Sequence, residues 1–274
     1  MNQTKSVRDV QDKILEIMKH IDRICRENNI VYFIMGGTAL GAIRHGGFIP
    51  WDDDLDIFMT PEQYNKFKAV MEKNGNSKFI LQEWKITPNY LEYAKVRMNG
   101  TTFIEECFKD RKDLHQGIYV DIMLLHKVST CKIMQKLVYY ESKFVTLYAL
   151  TQRNWKPKTN VQQAVVYCLK LLPCKFMAKI FYKHIYMYEN RKDNFMWCYW
   201  ITTAKFRSGL FAPEFFDKPV DVQFEDTKLL GSTHIKKYLE YRYGNYMKLP
   251  TKEQQIAAVH AMIFDTEKDY TEYI

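Results

Sequence analysis

The sequence contains no Cys-x-x-Cys pair, although it has six cysteines among its 274 residues. Its seven histidines are equally dispersed. Structural zinc sites and disulfide frameworks need such residues at short, regular spacing, so neither is expected here. Scattered cysteines are instead typical of reduced thiols in a cytosolic protein.

Long apolar runs are also missing from the sequence. No uninterrupted stretch reaches the roughly 18 residues that a transmembrane helix requires. The N-terminal segment 6–28 carries charged residues among its apolar positions, which is not the pattern of a signal peptide. We therefore expect a cytoplasmic location, with peripheral contact with the inner face of the membrane as a further possibility.

The sequence has no long block of lysine and arginine, although its formal net charge is +8. A basic surface favours anionic partners such as nucleotides, phosphorylated glycans or acidic lipid headgroups, and simple solubility is an equally good explanation. Without a basic block we expect no nucleic-acid partner.

Hydrophobic periodicity divides the chain into two parts. Residues 1–128 alternate helical and strand patterns, whereas residues 129–274 are largely helical with a mixed tail. We expect an α/β (α+β) fold with a mixed sheet flanked by helices in a core, 1–128. The portion 129–274 is expected to pack on this core; if the motifs described next make the core nucleotidyltransferase-like and catalytic, this portion would contribute to its acceptor site.

The chemistry is expected in the acidic run that follows Trp51. Asp54 and Asp56 are two residues apart on a predicted strand, so their carboxylates leave on the same face. Two such carboxylates repel each other unless a cation lies between them, and Mg²⁺, with Mn²⁺ as an alternative, suits them. Asp53 is predicted to face away, and Asp52 is a candidate accessory group. An acidic surface turn is the alternative.

Glycines stand just before this run. Gly36 and Gly37 follow a predicted buried strand, and Thr38 is the expected N-cap of a short helix. Backbone N–H groups at such a turn suit a phosphate. The order of strand, glycine pair, helix and Asp-x-Asp strand is typical of nucleotidyltransferases.

Further polar residues interrupt later strands or end the short helix. Asp121 is the only charge in an apolar strand, where an unpaired carboxylate would be costly, so it is the candidate third metal ligand. Lys95 and Arg97 share one strand face and could bind phosphate oxygens. Arg44 is a further phosphate-binding candidate, and His45 an accessory one; each has a surface or structural role as its alternative.

The run from Gly36 to Ile57, GGTALGAIRHGGFIPWDDDLDI, resembles the LicD family, the bacterial phosphocholine transferases related to fukutin and fukutin-related protein. Supporting segments follow in family order: Lys95–Arg97, Gly117–Ile122, Tyr243–Pro250 and then His260, a further accessory candidate.

The resemblance implies an Mg²⁺-dependent phosphotransferase with a CDP-alcohol donor, typically CDP-choline. The acceptor would be a sugar hydroxyl of a cell-surface glycan, such as lipopolysaccharide, teichoic acid or capsule, or of its undecaprenyl-linked precursor. By residue it implies Asp54, Asp56 and Asp121 as the metal-binding carboxylates. The alternatives are a nucleotidyltransferase that leaves the nucleotide on its acceptor, and a non-catalytic glycan-binding protein.

Overall fold

The computed structural model describes residues 6–75, 78–87, 90–152, 159, 163–164, 167, 169, 174–256 and 259–274. By its contacts the chain forms two compact units. The first comprises Met1–Gln82, Ala94–Met123 and Glu214–Ile274, and the second comprises Glu83–Tyr93 and Leu124–Pro213. The tail from Glu214 onward therefore packs with the N-terminal part of the chain. The functional division at residue 128 stays a prediction, because compactness alone does not show which segments act together.

The described residues include seven α-helices and two short 3₁₀ turns, at Pro213–Phe216 and Tyr270–Glu272. The helices are α1 (Val7–Glu27), α2 (Gly36–His45), α3 (Pro61–Asn74), α4 (Lys132–Gln152), α5 (Cys174–Tyr186), α6 (Ile235–Tyr243) and α7 (Lys252–Ile256). Local sequence sets several of their ends. Ser6 and Asp9 form a reciprocal capping box at the start of α1. Thr60 caps α3 with Pro61 in its first position, as the sequence predicts.

The strands form four sheets in the described part of the chain. They are β1 (Phe33–Ile34), β2 (Asp56–Met59), β3 (Phe79–Thr87), β4 (Tyr90–Met98), β5 (Thr102–Glu105), β6 (Tyr119–Leu124), β7 (His126–Ser129), β8 (Phe195–Cys198), β9 (Leu210–Phe211), β10 (Pro219–Phe224), β11 (Thr227–Ser232) and β12 (Ala261–Asp265). The five-stranded sheet has the order β1-β2-β6-β4-β3. The predicted mixed α/β (α+β) fold class is confirmed.

Helix α1 buries the apolar face that its periodicity predicts. Val10, Ile14, Ile17, Ile21 and Ile24 are all essentially inaccessible to solvent. Burial of this kind stabilises a fold by roughly 1.5–3 kcal/mol for each fully buried aliphatic side chain. The helix therefore belongs to the core of the first unit.

The start of α2 differs from the sequence prediction. The N-cap is Met35, so Gly36, Gly37 and Thr38 form the first turn of the helix. Gly36 adopts a positive φ of 52°, which an L-residue rarely takes and which lets the chain enter the helix three residues earlier than predicted. Thr38 is thus free of capping, and its Oγ1 accepts a hydrogen bond from the Asp56 N–H at 2.9 Å.

The second unit contains more strand than its helical periodicity indicates. Within the range 131–200, helices α4 and α5 are present, but Phe195–Cys198 forms β8, paired with β7. A strand forms here because Cys198 buries its side chain in the apolar cluster that also holds Trp200, and Trp197 is buried as well. Pro173, at which the sequence predicts a kink or break of the helical pattern, lies outside the described residues. No helix in the described part of the chain has the length and apolarity to cross a membrane.

Helix α2 packs so closely against the loop after it that adding one methyl group at Gly41 should destabilise the chain strongly. A Cβ at Gly41 would lie 2.4 Å from the Gly47 carbonyl oxygen and 3.2 Å from the Ile49 nitrogen, and both atoms belong to the backbone. Gly41→Ala is therefore expected to lower the free energy of unfolding by about 3 kcal/mol in urea titrations. The matched variant Gly46→Ala has a positive φ of 74° but open space around its Cβ, so it should cost only about 1 kcal/mol. Equal losses in the two variants would contradict this packing.

Candidate active site

Three neighbouring strands of the first unit bring together charges that lie far apart in the sequence. Asp56 begins β2, Asp121 lies on β6, and Lys95 lies on β4. The strands are adjacent in the order β2-β6-β4, and the Asp121 N–H donates to the Leu55 carbonyl at 2.9 Å. The Lys95 Nζ atom lies 2.9 Å from Asp121 Oδ1. The sheet therefore aligns two acidic residues and a cation at one place.

The acidic run before β2 adds a second group of ligands. Asp52, Asp54 and His260 each offer one ligand atom, and these atoms all lie within 4.8 Å of one another. Among the described residues, these three have ligand atoms close enough together to bind one metal ion. The ligand atoms of the predicted set, Asp54, Asp56 and Asp121, are not all within that distance of one another. Metal binding by that predicted set stays a prediction. The structure places two of the accessory candidates, Asp52 and His260, beside Asp54.

Asp53 does not face away from the site, and the prediction that it is a bystander is wrong. It is buried, and its carboxylate accepts hydrogen bonds from the N–H groups of His260 and Ala261 at 2.9–3.0 Å. Its Oδ1 is also 2.9 Å from His260 Nδ1. Since Ala261 begins β12, Asp53 fixes the start of that strand and holds the His260 ring beside Asp54.

The N-terminus of α2 lies against the same acidic residues. A Cβ at Gly37 would lie 2.8 Å from Asp52 Oδ2, and a Cβ at Gly36 would lie 3.7 Å from Asp56 Oδ2. At Gly37 a side chain would therefore displace the Asp52 carboxylate, whereas at Gly36 the positive φ of 52°, and not a lack of space, favours glycine. The positive end of the helix dipole favours negative charge at this position. The Gly36 N–H already donates to the Tyr238 hydroxyl at 3.0 Å, so phosphate binding by these amides stays a prediction.

Electrostatic strain shows in the acidic residues themselves. Burial, followed by the nearby Asp54, raises the pKa of Asp52 to about 8. Burial also raises the pKa of Asp56 well above its usual range, with Asp54 and Asp121 as the next causes. The pKa of Asp54 and that of Asp121 are raised mainly by burial, and Lys95 opposes both shifts.

His260 supplies a counter-charge to these carboxylates. The hydrogen bond to Asp53 is the main cause that raises its pKa to about 9, and Asp54 adds to the effect. An imidazolium beside the acidic residues stabilises them when no metal ion is bound. A divalent cation at the site would take over this role, because it neutralises several carboxylates at once.

These observations fit a metal ion. Hard oxygen ligands predominate, and the carboxylates resist ionisation without a cation between them. Asp52, Asp54, Asp56 and Asp121 would supply the oxygen ligands, and His260 a nitrogen.

Lys95 and Arg97 lie in the site's wall. Both lie over the Tyr119 ring, with Lys95 Nζ 3.3 Å and the Arg97 guanidinium carbon 4.8 Å from its centroid. Arg97 is buried and donates to Gln82 Oε1 and to the Gly117 carbonyl at 2.6 and 2.7 Å. These contacts hold strands together. Phosphate binding by the pair stays a prediction, and Lys95, beside Asp121, is the better placed of the two.

Arg44 and His45 lie at the other end of α2. Arg44 Nε donates to His45 Nε2 at 2.9 Å, and its NH1 donates to the Tyr246 carbonyl at 3.0 Å. The His45 ring stands edge-on to Trp51 at 5.9 Å between centroids. These contacts join the end of α2 to the loop after α6 and to the start of the acidic run. The structure does not bring either side chain into the carboxylate cluster.

Residues 29–146 match the family model described as LicD/FKTN/FKRP, nucleotidyltransferase domain. The chain contains a LicD domain. The predicted resemblance to the LicD family is thus confirmed, and with it the prediction that the protein is a transferase enzyme.

Similarity to one individual LicD protein extends beyond this domain. The chain is 26% identical over 255 residues to "Lipopolysaccharide cholinephosphotransferase LicD" of Haemophilus influenzae, which covers 91% of this chain and 94% of that protein. It is also 52% identical over 114 residues to an uncharacterized protein of Rickettsia prowazekii, covering 42% of this chain and 39% of that protein. An uncharacterized protein of Rickettsia typhi is 42% identical over 72 residues, 25% of this chain and 23% of that protein.

The matched LicD domain contains all four clustered carboxylates, whereas His260 and Tyr238 lie outside it. Sequence reasoning missed three residues that shape the site: Asp53, Tyr119 and Tyr238. No local pattern marked Tyr238 or Asp53. The role of Tyr238 depends on where α6 packs against the start of α2, and that of Asp53 depends on where β12 lies.

Proposed function

We propose that this LicD enzyme transfers phosphocholine from CDP-choline to a sugar hydroxyl of lipopolysaccharide or of its lipid-linked glycan precursor, and that it requires Mg²⁺. The single observation that carries the proposal is the cluster of Asp52, Asp54 and His260, to which Asp56 and Asp121 are electrostatically coupled through Asp54. The named activity of the Haemophilus influenzae relative, which this chain matches over nearly all its length, supports the choice of phosphocholine as the transferred group and of lipopolysaccharide as the acceptor.

In the proposed reaction the acceptor hydroxyl oxygen attacks the phosphorus that carries choline. A new P–O bond forms, the bond between that phosphorus and the bridging oxygen of the diphosphate breaks, and CMP leaves with that oxygen. A bound Mg²⁺ would neutralise the charge on the diphosphate. The chain contributes mainly positioning and electrostatic stabilisation, which carry most of phosphoryl-transfer catalysis.

The residues of the site have separable roles in this proposal. Asp54 and Asp56 hold the metal with Asp52 and Asp121 beside them. Lys95 holds Asp121 in place and offsets its charge. Asp121 is proposed to receive the proton of the acceptor hydroxyl, and Asp53 orients the His260 ring beside Asp54.

Two labelled donors test the proposal. CDP-choline labelled in the choline methyl groups should pass its label to lipopolysaccharide acceptor glycan, and cytidine-labelled donor should leave its label in CMP. Transfer of the cytidine label instead would support the alternative nucleotidyltransferase. Absence of Mg²⁺-dependent CDP-choline binding in calorimetry would support the non-catalytic glycan-binding alternative.

The contact between Asp53 and His260 makes a prediction of its own. Asp53→Ala removes the acceptor of three hydrogen bonds from His260 and Ala261, so transfer should fall about 30-fold as the ring loses its orientation. His260→Ala should cause a similar fall. Because the two residues act as one unit, the double variant should be no slower than the slower single variant.

Circular dichroism would confirm that both variants keep their fold. Losses that multiply in the double variant would show that Asp53 and His260 act separately, and the proposed orientation of the ring would then be wrong.

A further inference from the structure

Helix α4 of the second unit exposes large apolar side chains in one row. Ile133, Leu137 and Tyr140 are 77%, 45% and 69% exposed, and their spacing of four and three residues places them on one helix face. Lys132 and Lys136 are also exposed and precede two of them directly, so a row of lysines runs beside the apolar row.

Helix α5 repeats this arrangement. Phe176 and Ile180 are 68% and 47% exposed and lie one turn apart. Lys175, Lys179 and Lys183 are exposed at the same spacing and form a lysine row beside them. Two helices therefore carry the same combination of exposed apolar and basic rows.

The two helices pack side by side and run in opposite directions. His184 Nδ1 lies 2.6 Å from Glu141 Oε2, and the Phe144 and Phe181 rings are 5.2 Å apart, so later residues of α5 meet earlier residues of α4. In both helices the residues buried in the core lie on the opposite side of the helix axis from the exposed rows, or nearly so. The rows of the two helices therefore lie on the same, solvent-facing side of the pair.

The charge on this face has one sign. The acidic residue of α4 is Glu141, which is buried and paired with His184, and α5 contains no acidic residue. Exposed lysines without acidic neighbours complement an anionic surface, and the apolar row needs a surface that also accepts hydrocarbon. A protein partner would have to supply both properties, whereas the interface of an anionic bilayer has both throughout.

We propose that the exposed face of α4 and α5 binds the surface of an anionic lipid bilayer, with the apolar rows inserted among the lipid headgroups and the lysines on the lipid phosphates. Lysine side chains suit this role because their aliphatic stems cover apolar surface while the ammonium group stays in water. The helices lie in the plane of the interface. The proposal does not depend on the reaction that the first unit catalyses.

Flotation with phospholipid vesicles tests the proposal. The whole chain should float with vesicles of phosphatidylglycerol mixed with phosphatidylcholine, and it should not float with phosphatidylcholine alone. Removing the lysine row of α5 in the variant Lys175→Gln/Lys179→Gln/Lys183→Gln should lower the partition coefficient at least about tenfold, since each lysine contributes about fivefold. Ile133→Ser/Phe176→Ser should lower it similarly while keeping the charge.

A control variant removes the same charge from the first unit. Lys73, Lys112 and Lys252 are exposed there, and their triple replacement by glutamine should change the partition coefficient less than about threefold. An equal loss in this control, or no flotation of the wild-type chain with anionic vesicles in low salt, would overturn the proposal. A stable dimer that Ile133→Ser/Phe176→Ser dissociates, without vesicle binding by the wild-type chain, would show that this face binds a second copy instead.

Discussion

Replacing Asp56 with asparagine is expected to lower the rate of phosphocholine transfer by about a thousandfold or more while the chain stays folded. Asp56 lies where β2 begins, beside Asp121 on the neighbouring strand, and Thr38 fixes its backbone. An amide cannot supply the charge that holds a divalent cation on a diphosphate. The loss should appear in kcat with saturating donor.

The same substitution should not destabilise the chain in the absence of divalent cations. The raised pKa of Asp56 shows that its negative charge is unfavourable in the folded state, so a neutral amide should give a melting temperature equal to or above that of the wild-type chain. As a control, Asp226→Asn removes an exposed carboxylate paired with Lys19 and should change transfer less than about twofold. Near-normal turnover of the Asp56 variant would show that the site has been assigned wrongly.

Without divalent cations, the stability of the wild-type chain should fall as the pH rises from about 4 to about 8, relative to that of Asp52→Asn. The folded-state pKa of Asp52 is raised from 3.8 to about 8. Between these values the folded chain retains a proton that the unfolded chain releases, so stability is full below the lower value and is lost as the pH rises through the higher one. The difference should be on the order of 5 kcal/mol, because the pKa shift spans about four units and each unit corresponds to about 1.4 kcal/mol.

Mg²⁺ should reverse this pH dependence. A cation binds the deprotonated carboxylates, so its stabilising effect should grow as the pH rises towards 8 and should be small near pH 5. Urea titrations at several pH values, with either EDTA or Mg²⁺, measure both effects. If wild-type and Asp52→Asn chains gave parallel curves under all conditions, the acidic residues would not form a cation site.

The first half of the site could be predicted because it is local in sequence. The glycine pair, the short helix and the acidic run occupy 22 consecutive residues, Gly36 to Ile57, and their spacing alone identifies the family. Asp121 could be predicted for a different reason, since a single charge in an apolar strand is costly unless something compensates it. The structure supplies Lys95 as its partner.

The roles of Arg97 and Asp53 could not be predicted in the same way. Arg97 has the spacing of a phosphate ligand, yet it is buried over Tyr119 and bonded to the Gly117 carbonyl. If the strand began before Asp54, the alternation of side chains would turn Asp53 outward. The strand begins only at Asp56, so the residues before it do not follow that alternation. In both cases the deciding partner lies on another segment of the chain.

The sequence by itself determined the resemblance to the LicD family and the fold class, because residue type and short-range spacing carry that information, and it predicts Asp54, Asp56 and Asp121 as the centre of the chemistry. Tertiary structure alone decided that Asp52 and His260 join the cluster, that Asp53 orients His260, and that Tyr238 occupies the Gly36 amide. The physical reason is that a hydrogen bond or a pKa depends on distances across the fold. The return of β12 beside a loop some 200 residues earlier sets those distances, and no local pattern records them.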